Sequence, residues 1–278
     1  MTSLPNESTL QRWESPGQPP ILALPGFLGD AQDFAWLAQQ SLQHLDWWSL
    51  DLPGQGNAKH EGIRNGLFLG HFLAAVKRAQ REIVEHTQQL PILLGYSMGG
   101  RIAIQTALDS PKYWRALVTI GSTPGIESED DRATRRKADA LLAEKIRRQP
   151  IEVFLEQWNQ LPIIRSQQSI PSDLRIPMQE RRRQNIPDAI ANMLTALSPG
   201  LIPSRWEDLP NLKIPCLFTA GTNDKKFSNI ADLMAALAPQ SQLAPIRRAG
   251  HCAHLEQPHD FLEKLLTFVR GLNSSDND

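Results

Sequence analysis

Short apolar runs alternate with stretches of helical periodicity along most of the chain. Six of the runs have the length and composition of buried strands: Ile21 to Leu24, Asp46 to Leu50, Pro91 to Leu94, Ala116 to Ile120, Pro215 to Ala220 and Gln242 to Ile246. Between them, apolar residues recur at spacings of three and four, as on the buried face of a helix: Phe34, Leu37, Ala38 and Leu42 form one stripe, and Leu69, Phe72, Leu73, Val76, Ile83 and Val84 form another. This alternation predicts an α/β fold in which helices flank both faces of a mostly parallel central sheet.

The alternation is interrupted in the middle of the chain, where the composition becomes basic and helical, and strand pattern returns only at Ile214. We therefore predict a helical cap, or lid, over residues 124–206. It is inserted into a core that consists of residues 21–123 and 207–272.

The two ends of the chain lack the pattern of the core. Residues 1–20 contain four prolines and no apolar segment of the kind found in a secretory signal peptide. Residues 273–278 are polar. We predict that both segments are flexible tails.

Composition narrows the class of protein. With 278 residues, 41% of them hydrophobic, the chain can bury a full core as one large domain with an insertion. A net charge of −1 argues against nucleic acid as a partner. The sequence contains no run of eighteen apolar residues, the length needed for insertion into a membrane. The two cysteines, Cys216 and Cys252, indicate neither a disulfide framework nor a metal site. We predict a cytoplasmic protein without a cofactor, and the sequence does not indicate its oligomeric state.

A serine lies between two glycines directly after the apolar run that ends at Leu94. The segment Gly95-Tyr96-Ser97-Met98-Gly99 has the G-x-S-x-G pattern with which an α/β-hydrolase presents its nucleophile on a sharp strand-to-helix turn. Glycine allows such a turn, and the N–H groups that follow it point towards a developing anion. An ordinary glycine-rich turn would have the same residues, so the motif by itself leaves both interpretations open.

Two possible partners of Ser97 follow later in the chain. Asp224 comes after the predicted strand that ends at Ala220, and His251 comes after the predicted strand that ends at Ile246. Functional groups of open α/β sheets gather at the carboxyl ends of the strands, so these three residues are candidate members of a catalytic triad. Their order along the chain is the one found in α/β-hydrolases.

Each of the two partners has an alternative. Asn223-Asp224 is also common turn chemistry, so Asp224 could belong only to a loop. His254 and His259 are rivals of His251, but we predict His254 in the first turn of the final helix and His259 at a solvated position on that helix. His251 is therefore the preferred base.

The predicted cap is strongly basic. From Arg132 to Arg183 it contains twelve Lys and Arg residues and six Asp and Glu residues, which gives a local charge of +6 in a nearly neutral chain. Many of these charges, such as those of Lys145, Arg147 and Arg148, are expected on a solvated helical face. A cap rich in arginine also suits a substrate with several carboxylates, because a planar guanidinium can bind a carboxylate through two hydrogen bonds.

Six segments together resemble one family of enzymes. They are Leu24-Pro25-Gly26-Phe27-Leu28-Gly29-Asp30, Asp51-Leu52-Pro53-Gly54, Gly95-Tyr96-Ser97-Met98-Gly99-Gly100-Arg101, Thr123-Pro124-Gly125-Ile126 followed by Arg132 and Arg135, Gly221-Thr222-Asn223-Asp224-Lys225-Lys226-Phe227, and Arg248-Ala249-Gly250-His251-Cys252-Ala253-His254. From Ile21 to about Phe268 the chain is similar to the 2-succinyl-6-hydroxy-2,4-cyclohexadiene-1-carboxylate synthases, α/β-hydrolase-fold lyases of menaquinone and phylloquinone biosynthesis. The most discriminating features are Arg101 directly after the serine motif and Asp-x-Lys-Phe at residues 224–227.

The resemblance implies a reaction in which no water is added. Members of this family eliminate pyruvate from 2-succinyl-5-enolpyruvyl-6-hydroxy-3-cyclohexene-1-carboxylate. By resemblance, Ser97 is the base that removes a proton next to the succinyl ketone, His251 activates the serine, and Asp224 orients the histidine. The oxyanion donors carried over are the backbone N–H groups of Phe27 and Met98.

The substrate of this family has three carboxylates, and the resemblance assigns residues to bind it. Arg101 matches directly, Arg135 matches an arginine of the lid, and Trp158 matches a lid aromatic near the ligand. Tyr96 is carried over as a binding residue, and its alternative is a hydrogen-bonded side chain under the lid. The third cation matches the run Arg181-Arg182-Arg183, in which the spacing to Met193-Leu194 favours Arg182 and leaves Arg181 and Arg183 as alternatives. The implied partner is a small polycarboxylate.

Two positions depart from the family pattern. Relatives usually have His-Gly where this chain has Pro25-Gly26, and often have His-Gly where it has Gln55-Gly56. Proline should preserve the shape of the loop while it removes an imidazole near the oxyanion donors.

Two other classes of function use the same scaffold. A carboxylesterase or carbon–carbon bond hydrolase would have the same triad but would need room for an attacking water, and the clustered arginines argue against an apolar ester. A non-catalytic small-molecule receptor is the third hypothesis, and such a protein would have no need to keep every member of the triad.

Overall fold

The computed structural model describes residues 9–61, 63 and 66–275. The strands in this part of the chain are β1 (Leu10–Trp13), β2 (Pro20–Leu24), β3 (Asp46–Leu50), β4 (Ile92–Tyr96), β5 (Ala116–Ile120), β6 (Cys216–Gly221) and β7 (Ser241–Ile246). They form one sheet in the order β1-β3-β2-β4-β5-β6-β7, in which β1 is antiparallel to β3 and the other neighbours are parallel. The predicted α/β class with a mostly parallel sheet is confirmed.

The six strands predicted from the sequence are all present, with ends within two residues of the predicted ones. The seventh, β1, lies inside the segment 1–20 that was predicted to be a flexible tail, so this prediction is corrected for Leu10–Trp13. This strand has four residues, of which only Leu10 is buried, and it pairs with β3 at the edge of the sheet. It depends on that pairing, and no local periodicity marks it. Residues 1–8 lie outside the described residues.

Helices cover both faces of the sheet and fill the segment between β5 and β6. In the described residues they are α1 (Ala35–Gln40), α2 (Leu69–Thr87), α3 (Met98–Asp109), α4 (Glu129–Arg147), α5 (Ile151–Trp158), α6 (Pro162–Arg165), α7 (Ser172–Arg182), α8 (Pro187–Ala196), α9 (Lys225–Leu237), α10 (Ala253–Glu256) and α11 (Pro258–Ser275). Helices α4 to α8 fall within residues 124–206, which we call the cap. The cap has its own apolar cluster, which includes Ile146, Phe154 and Ile190 and extends to Leu28 of the core.

Alternate residues of the central strands supply two separate apolar layers. In β2, Leu22 and Leu24 belong to the layer that includes α2, α3 and α9, whereas Ile21 and Ala23 belong to the layer that includes α1 and α11. All four side chains are fully buried. Because both faces of the sheet are covered, its parallel strands appear in the sequence as continuous apolar runs rather than as alternating ones.

The end of the chain differs from two predictions. His254 lies in α10, a separate turn of helix before Pro258, and therefore not in the first turn of the final helix. The final helix continues to Ser275, so the predicted flexible tail is helical over residues 273–275, and residues 276–278 lie outside the described part. His259 is exposed on α11, as predicted. None of the described helices combines the length and the apolar character needed to cross a membrane.

A sharp turn at Ser97 joins β4 to α3. The φ and ψ angles of Ser97, 50° and −106°, are unusual for a residue with a side chain. Its N–H donates to the carbonyl oxygen of Ile120 at 2.8 Å. A Cβ at Gly99 would collide with the carbonyl oxygens of Leu24 and Pro25. The first turn of α3 therefore contacts the loop after β2, and only glycine allows this close approach.

We expect Gly99→Ala to destabilise the protein by about 1–3 kcal/mol, the usual cost of overpacking, because the added methyl group meets backbone atoms. Gly271→Ala on α11 is the matched control, since nothing lies within 4 Å of a Cβ there. It should raise the free energy of unfolding by up to about 1 kcal/mol. Urea unfolding measures both effects, and a Gly99→Ala protein as stable as the wild type would contradict the close contact.

Candidate active site

Ser97, His251 and Asp224 form a continuous hydrogen-bonded chain. The Ser97 hydroxyl donates to Nε2 of His251 at 2.9 Å, and Nδ1–H of His251 donates to Oδ2 of Asp224 at 2.7 Å. The side chains of His251 and Asp224 are buried. With Nδ1 protonated towards the carboxylate, Nε2 keeps a lone pair directed at the serine, which is the arrangement of a general base.

Asp224 combines the two roles that the sequence left as alternatives. It is the N-terminal cap of α9, where its Oδ1 accepts a hydrogen bond from the N–H of Phe227 at 3.3 Å. Its other carboxylate oxygen binds His251. The turn therefore holds the carboxylate in place, and the helix start and the triad contact use different oxygens of one side chain.

Tyr96 and His254 form the layer behind the triad. The ring centroid of Tyr96 lies 5.5 Å from that of His251 and 4.7 Å from that of His254, and the Tyr96 hydroxyl is hydrogen-bonded with the Cys252 thiol. Burial raises the pKa of Tyr96 well above its usual value. Burial, followed by the neighbouring His251 and Arg182, lowers the pKa of His254 to about 3. His254 is therefore a neutral packing residue, and His251 is the histidine that contacts Ser97.

The loop after β2 carries Phe27, the first of the two predicted oxyanion donors. Phe27 and Met98 both line the cavity that contains Ser97. Next to Phe27, Leu28 has a φ of 69°, which is uncommon for a residue other than glycine. Its carbonyl oxygen accepts a hydrogen bond from Nδ2 of Asn185 in the cap at 3.2 Å. The cap thus helps to hold the loop beside the serine.

The two departures from the family pattern meet at this loop. Gln55 is fully buried, and its Nε2 donates to the carbonyl oxygen of Gly26 at 3.2 Å. Pro25 directly precedes that glycine. Gln55 therefore supports the loop through its side-chain amide, and it can do so whether or not an imidazole is present at position 25.

Ser97 opens into a cavity of about 360 Å³ between the sheet and the cap. Nine predicted site residues line it: Phe27, Tyr96, Ser97, Met98, Arg101, Arg135, Trp158, Arg182 and His251. Trp158 packs edge-on against Phe27, with ring centroids 5.3 Å apart. Apolar walls come from the cap and its edges: Leu142, Leu161, Ile163, Ile164, Leu194 and Leu197. The structure thus brings nine of the ten predicted residues to one cavity, and the tenth, Asp224, lies behind His251.

Arg101 and Arg135 place two positive charges on one side of the cavity. Nη2 of Arg101 donates to the carbonyl oxygen of Leu197 at 3.2 Å, while its buried Nε has no partner among the described residues. Nε of Arg135 donates to Oδ2 of Asp139 at 2.8 Å. Burial and the charge of Arg135 lower the pKa of Arg101 to about 10, an effect that Asp139 partly offsets. Arg101 therefore stays charged at neutral pH and keeps a free donor.

Of the three consecutive arginines, Arg182 is the one that reaches the cavity. It is buried, and its Nε has no partner within the described part of the chain. Arg181 forms ion pairs with Asp30 at 2.8 Å and Asp33 at 2.7 Å. Arg183 is exposed and lines a separate small cavity. This placement agrees with the preference for Arg182.

Lys226, Phe227 and Gln167 are among the cavity residues that had no role assigned from the sequence. Lys226 and Phe227 line the cavity, and the Phe227 ring lies 4.6 Å from that of His251. Both belong to the Asp-x-Lys-Phe segment, so the sequence contained a signal for them. Gln167 accepts a hydrogen bond from Nη1 of Arg182 at 2.8 Å. No motif marks Gln167, because its position follows only from the folding of the cap.

Known proteins share this fold over most of their length. A model of the alpha/beta hydrolase fold family matches residues 19–258. The 2-succinyl-6-hydroxy-2,4-cyclohexadiene-1-carboxylate synthase of Salmonella agona (strain SL483) is 30% identical over 92% of this chain and 95% of its own. A protein of Bacillus subtilis (strain 168) that carries the same name provisionally is 31% identical over 91% of this chain and 90% of its own. Among solved structures, MenH from S. aureus has a TM-score of 0.89 and 26% identity, over 96% of this chain and 99% of that chain.

The fold and the site define an α/β-hydrolase-fold protein. Within that class, the chain belongs to the family of the 2-succinyl-6-hydroxy-2,4-cyclohexadiene-1-carboxylate synthases. A malate-bound thermophilic esterase from Thermogutta terrifontis, with a TM-score of 0.79 and 20% identity over 95% of this chain and 93% of that chain, shares the fold alone.

We expect His254 to reduce stability at acid pH. Its pKa is about 3 in the folded protein and about 6.5 in an unfolded chain. The unfolded state therefore binds more protons between these values, and the free energy of unfolding falls as the pH falls through that window, by up to about 1.4 kcal/mol per pH unit. His254→Phe removes this titration. Urea unfolding at about pH 7.5 and pH 4.5 should show a smaller acid loss for the variant than for the wild type.

The acid loss of stability must be compared between the wild type and His254→Phe, because Asp30 changes the free energy of unfolding in the opposite direction. Burial and the nearby Asp33 raise the pKa of Asp30 to about 7. The folded state then binds more protons than the unfolded state between the usual aspartate pKa and about 7. The contribution of Asp30 therefore lowers the free energy of unfolding as the pH rises through that window. An equal acid loss in wild type and His254→Phe would contradict the assignment to His254.

Proposed function

We propose that this protein eliminates pyruvate from 2-succinyl-5-enolpyruvyl-6-hydroxy-3-cyclohexene-1-carboxylate and so forms 2-succinyl-6-hydroxy-2,4-cyclohexadiene-1-carboxylate, a step of menaquinone and phylloquinone biosynthesis in the cytoplasm. The observation that carries the proposal is the hydrogen-bonded chain of Ser97, His251 and Asp224, which opens into a cavity lined by three arginines. Family membership supports the same reaction. The chemistry needs no cofactor.

The charge of the cavity fits the charge of this substrate. The substrate has three carboxylates, on the ring, on the succinyl arm and on the enolpyruvyl arm, and Arg101, Arg135 and Arg182 supply three guanidinium groups. Two of them, Arg101 and Arg182, have a buried Nε without a partner among the described residues. A buried donor of this kind is costly until an anion binds it, so a polycarboxylate would satisfy donors that the protein leaves open.

The triad would act as a proton-transfer device. Nε2 of His251 takes the proton of the Ser97 hydroxyl, and the Ser97 oxygen removes the proton from the ring carbon next to the succinyl ketone. The electron pair of that C–H bond forms a new ring double bond, the existing double bond shifts by one position, and the carbon–oxygen bond to enolpyruvate breaks. Enolpyruvate then takes up a proton and becomes pyruvate. Atoms balance without water.

Removal of the proton requires that the negative charge developing on the ketone oxygen be stabilised. Negative charge develops on this oxygen as the proton leaves, and the backbone N–H groups of Phe27 and Met98 would donate to it. Loss of one such donor typically costs about 2.7–4 kcal/mol in transition-state stabilisation. Both residues line the cavity with Ser97, which supports this role.

Tyr96 and Trp158 would bind the substrate through their ring surfaces. Tyr96 lines the cavity, and its hydroxyl is hydrogen-bonded with the Cys252 thiol, so the ring is the part that we assign to substrate contact. Trp158 extends the apolar surface of Phe27 on the cap side. Together with the aliphatic walls, these rings would exclude water from the ring carbon that loses its proton.

Incubation of the purified protein with the enolpyruvyl substrate tests the reaction. Pyruvate, measured by its release, and the diene, measured by its absorbance, should form together in equal amounts. We expect Ser97→Ala and His251→Ala to lower kcat by at least about a thousandfold, because each removes a member of the proton-transfer unit. Full activity of Ser97→Ala would reject the serine as the base.

Arg101→Ala tests the anion site. We expect kcat/KM to fall by about 10- to 100-fold, the usual effect of losing a hydrogen bond to a charged group, with contributions from both kcat and KM. Arg148→Ala is the matched control, because this cap arginine has a side chain that is 79% exposed and pairs with Glu144 on the surface. A loss of the same size in the control would mean that the general charge of the cap, and not a specific contact, governs binding.

A further inference from the structure

A buried carboxylate, that of Glu256, holds the backbone on both sides of His251. The residue is only 3% exposed. Its Oε2 accepts a hydrogen bond from the N–H of Gly250 at 2.6 Å, and its Oε1 accepts one from the N–H of Cys252 at 3.0 Å. Since these two residues directly flank His251, the carboxylate restrains the loop from which the imidazole reaches Ser97.

The same carboxylate also binds the cap. The hydroxyl of Ser166 donates to Oε1 at 2.8 Å. The hydroxyl of Ser169 donates to the carbonyl oxygen of Ser166 at 2.7 Å and also lies 3.3 Å from Oε2, so its one proton is shared between the two acceptors. The approach is close, because a Cβ at Gly250 would collide with the Ser166 hydroxyl. Oε1 of Glu256 therefore accepts one hydrogen bond from the histidine loop and one from the cap, and Oε2 accepts one from the histidine loop and shares the Ser169 hydroxyl.

The segment that Glu256 holds in the cap also supports a cavity arginine. This segment, a single 3-10 turn at Ser166–Ser169 that we call the cap turn, contains Gln167. Oε1 of Gln167 accepts from Nη1 of Arg182 at 2.8 Å, and both side chains line the cavity. A continuous series of contacts thus leads from Arg182 through the cap turn and Glu256 to His251.

We propose that Glu256 is a positioning residue that sets the distance of His251 from Ser97. It also keeps Gln167 and Arg182 at a fixed position relative to that histidine. Hydrogen bonds to a carboxylate that is removed from water are strong and demanding in geometry, and Glu256 accepts three of them together with a share of the Ser169 hydroxyl. The inference rests on the proposed function, since it assigns to Glu256 the alignment of the base with the anion site.

Glu256→Gln tests the contact with the histidine loop. The variant keeps the size of the side chain but replaces one oxygen by an NH₂ group, which cannot accept the hydrogen bonds that it would face. We expect kcat for the enolpyruvyl substrate to fall by about 10- to 100-fold with a smaller change in KM, because the imidazole is displaced from the serine. Glu263→Gln, at an exposed position of α11, is the matched control and should keep the wild-type kcat.

Ser166→Ala and Ser169→Ala, alone and together, test the contact with the cap. These variants leave the two backbone contacts of Glu256 in place, so kcat should change little. KM should rise by about 3- to 10-fold in the double variant, because the cap turn no longer holds Gln167 and Arg182. They also keep the proposal testable if Glu256→Gln does not fold.

Proton NMR of the substrate-free protein separates this proposal from the proposed reaction. The Nδ1–H of His251, hydrogen-bonded to Asp224, should give a resonance far downfield that shifts or broadens in Glu256→Gln but not in Glu263→Gln. A shifted resonance together with a wild type that releases no pyruvate would reject the proposed function and leave the positioning role standing. An unchanged resonance and kcat in Glu256→Gln, even with a lower Tm, would overturn that role. An unchanged KM in the double serine variant would overturn the link to the cap.

Discussion

The hydrogen bond from His251 to Asp224 exists because β6 and β7 are parallel neighbours that end at the same edge of the sheet. Their register pairs Gly221 with Ile246, and the loops that follow carry the two side chains to a separation of 2.7 Å. A slip of one residue would move a loop by about 3.3 Å, which is more than a hydrogen bond tolerates. Ser97 reaches the same edge from β4. The register of the sheet therefore decides whether the hydrogen-bonded chain of Ser97, His251 and Asp224 forms.

Helix α3 and the cap together supply the buried arginines of the site, at a cost in free energy. Burial of a guanidinium is unfavourable unless its donors are bonded. Arg101 and Arg182 each have one protein acceptor, the Leu197 carbonyl and the Gln167 amide, and each keeps a buried Nε without a partner in the described residues. Under the proposed function, the site is organised for an anion before the anion arrives, and the substrate need not order these side chains when it binds.

Much of this arrangement could be predicted from the sequence because it depends on local chemistry. Strands with both faces covered appear as apolar runs, and the glycines around Ser97 mark the turn. Other features depend on contacts between distant segments. The strand β1 forms only by pairing with β3, and the neutral state of His254 follows from burial beside Tyr96. No local pattern marks either of them.

In the cap, too, the roles of single residues depend on contacts that no local sequence pattern marks. Neighbours in a helix point about 100° apart, so only the packing of α7 decides that Arg182 reaches the cavity while Arg181 binds Asp30 and Asp33. Glu256 accepts hydrogen bonds from Ser166 and from the histidine loop, two segments that are far apart in the chain. Such a convergence has no signature in the sequence around any one of the partners.

The central claim is that the triad removes a proton and that no water enters the products. Turnover of the enolpyruvyl substrate in water enriched with oxygen-18, followed by mass spectrometry, tests it most directly, because carboxylate oxygens do not exchange with neutral water. The account predicts pyruvate and diene in equal amounts, with every carboxylate free of the heavy isotope. A carboxylate that contains oxygen-18 would identify a hydrolysis and contradict the account.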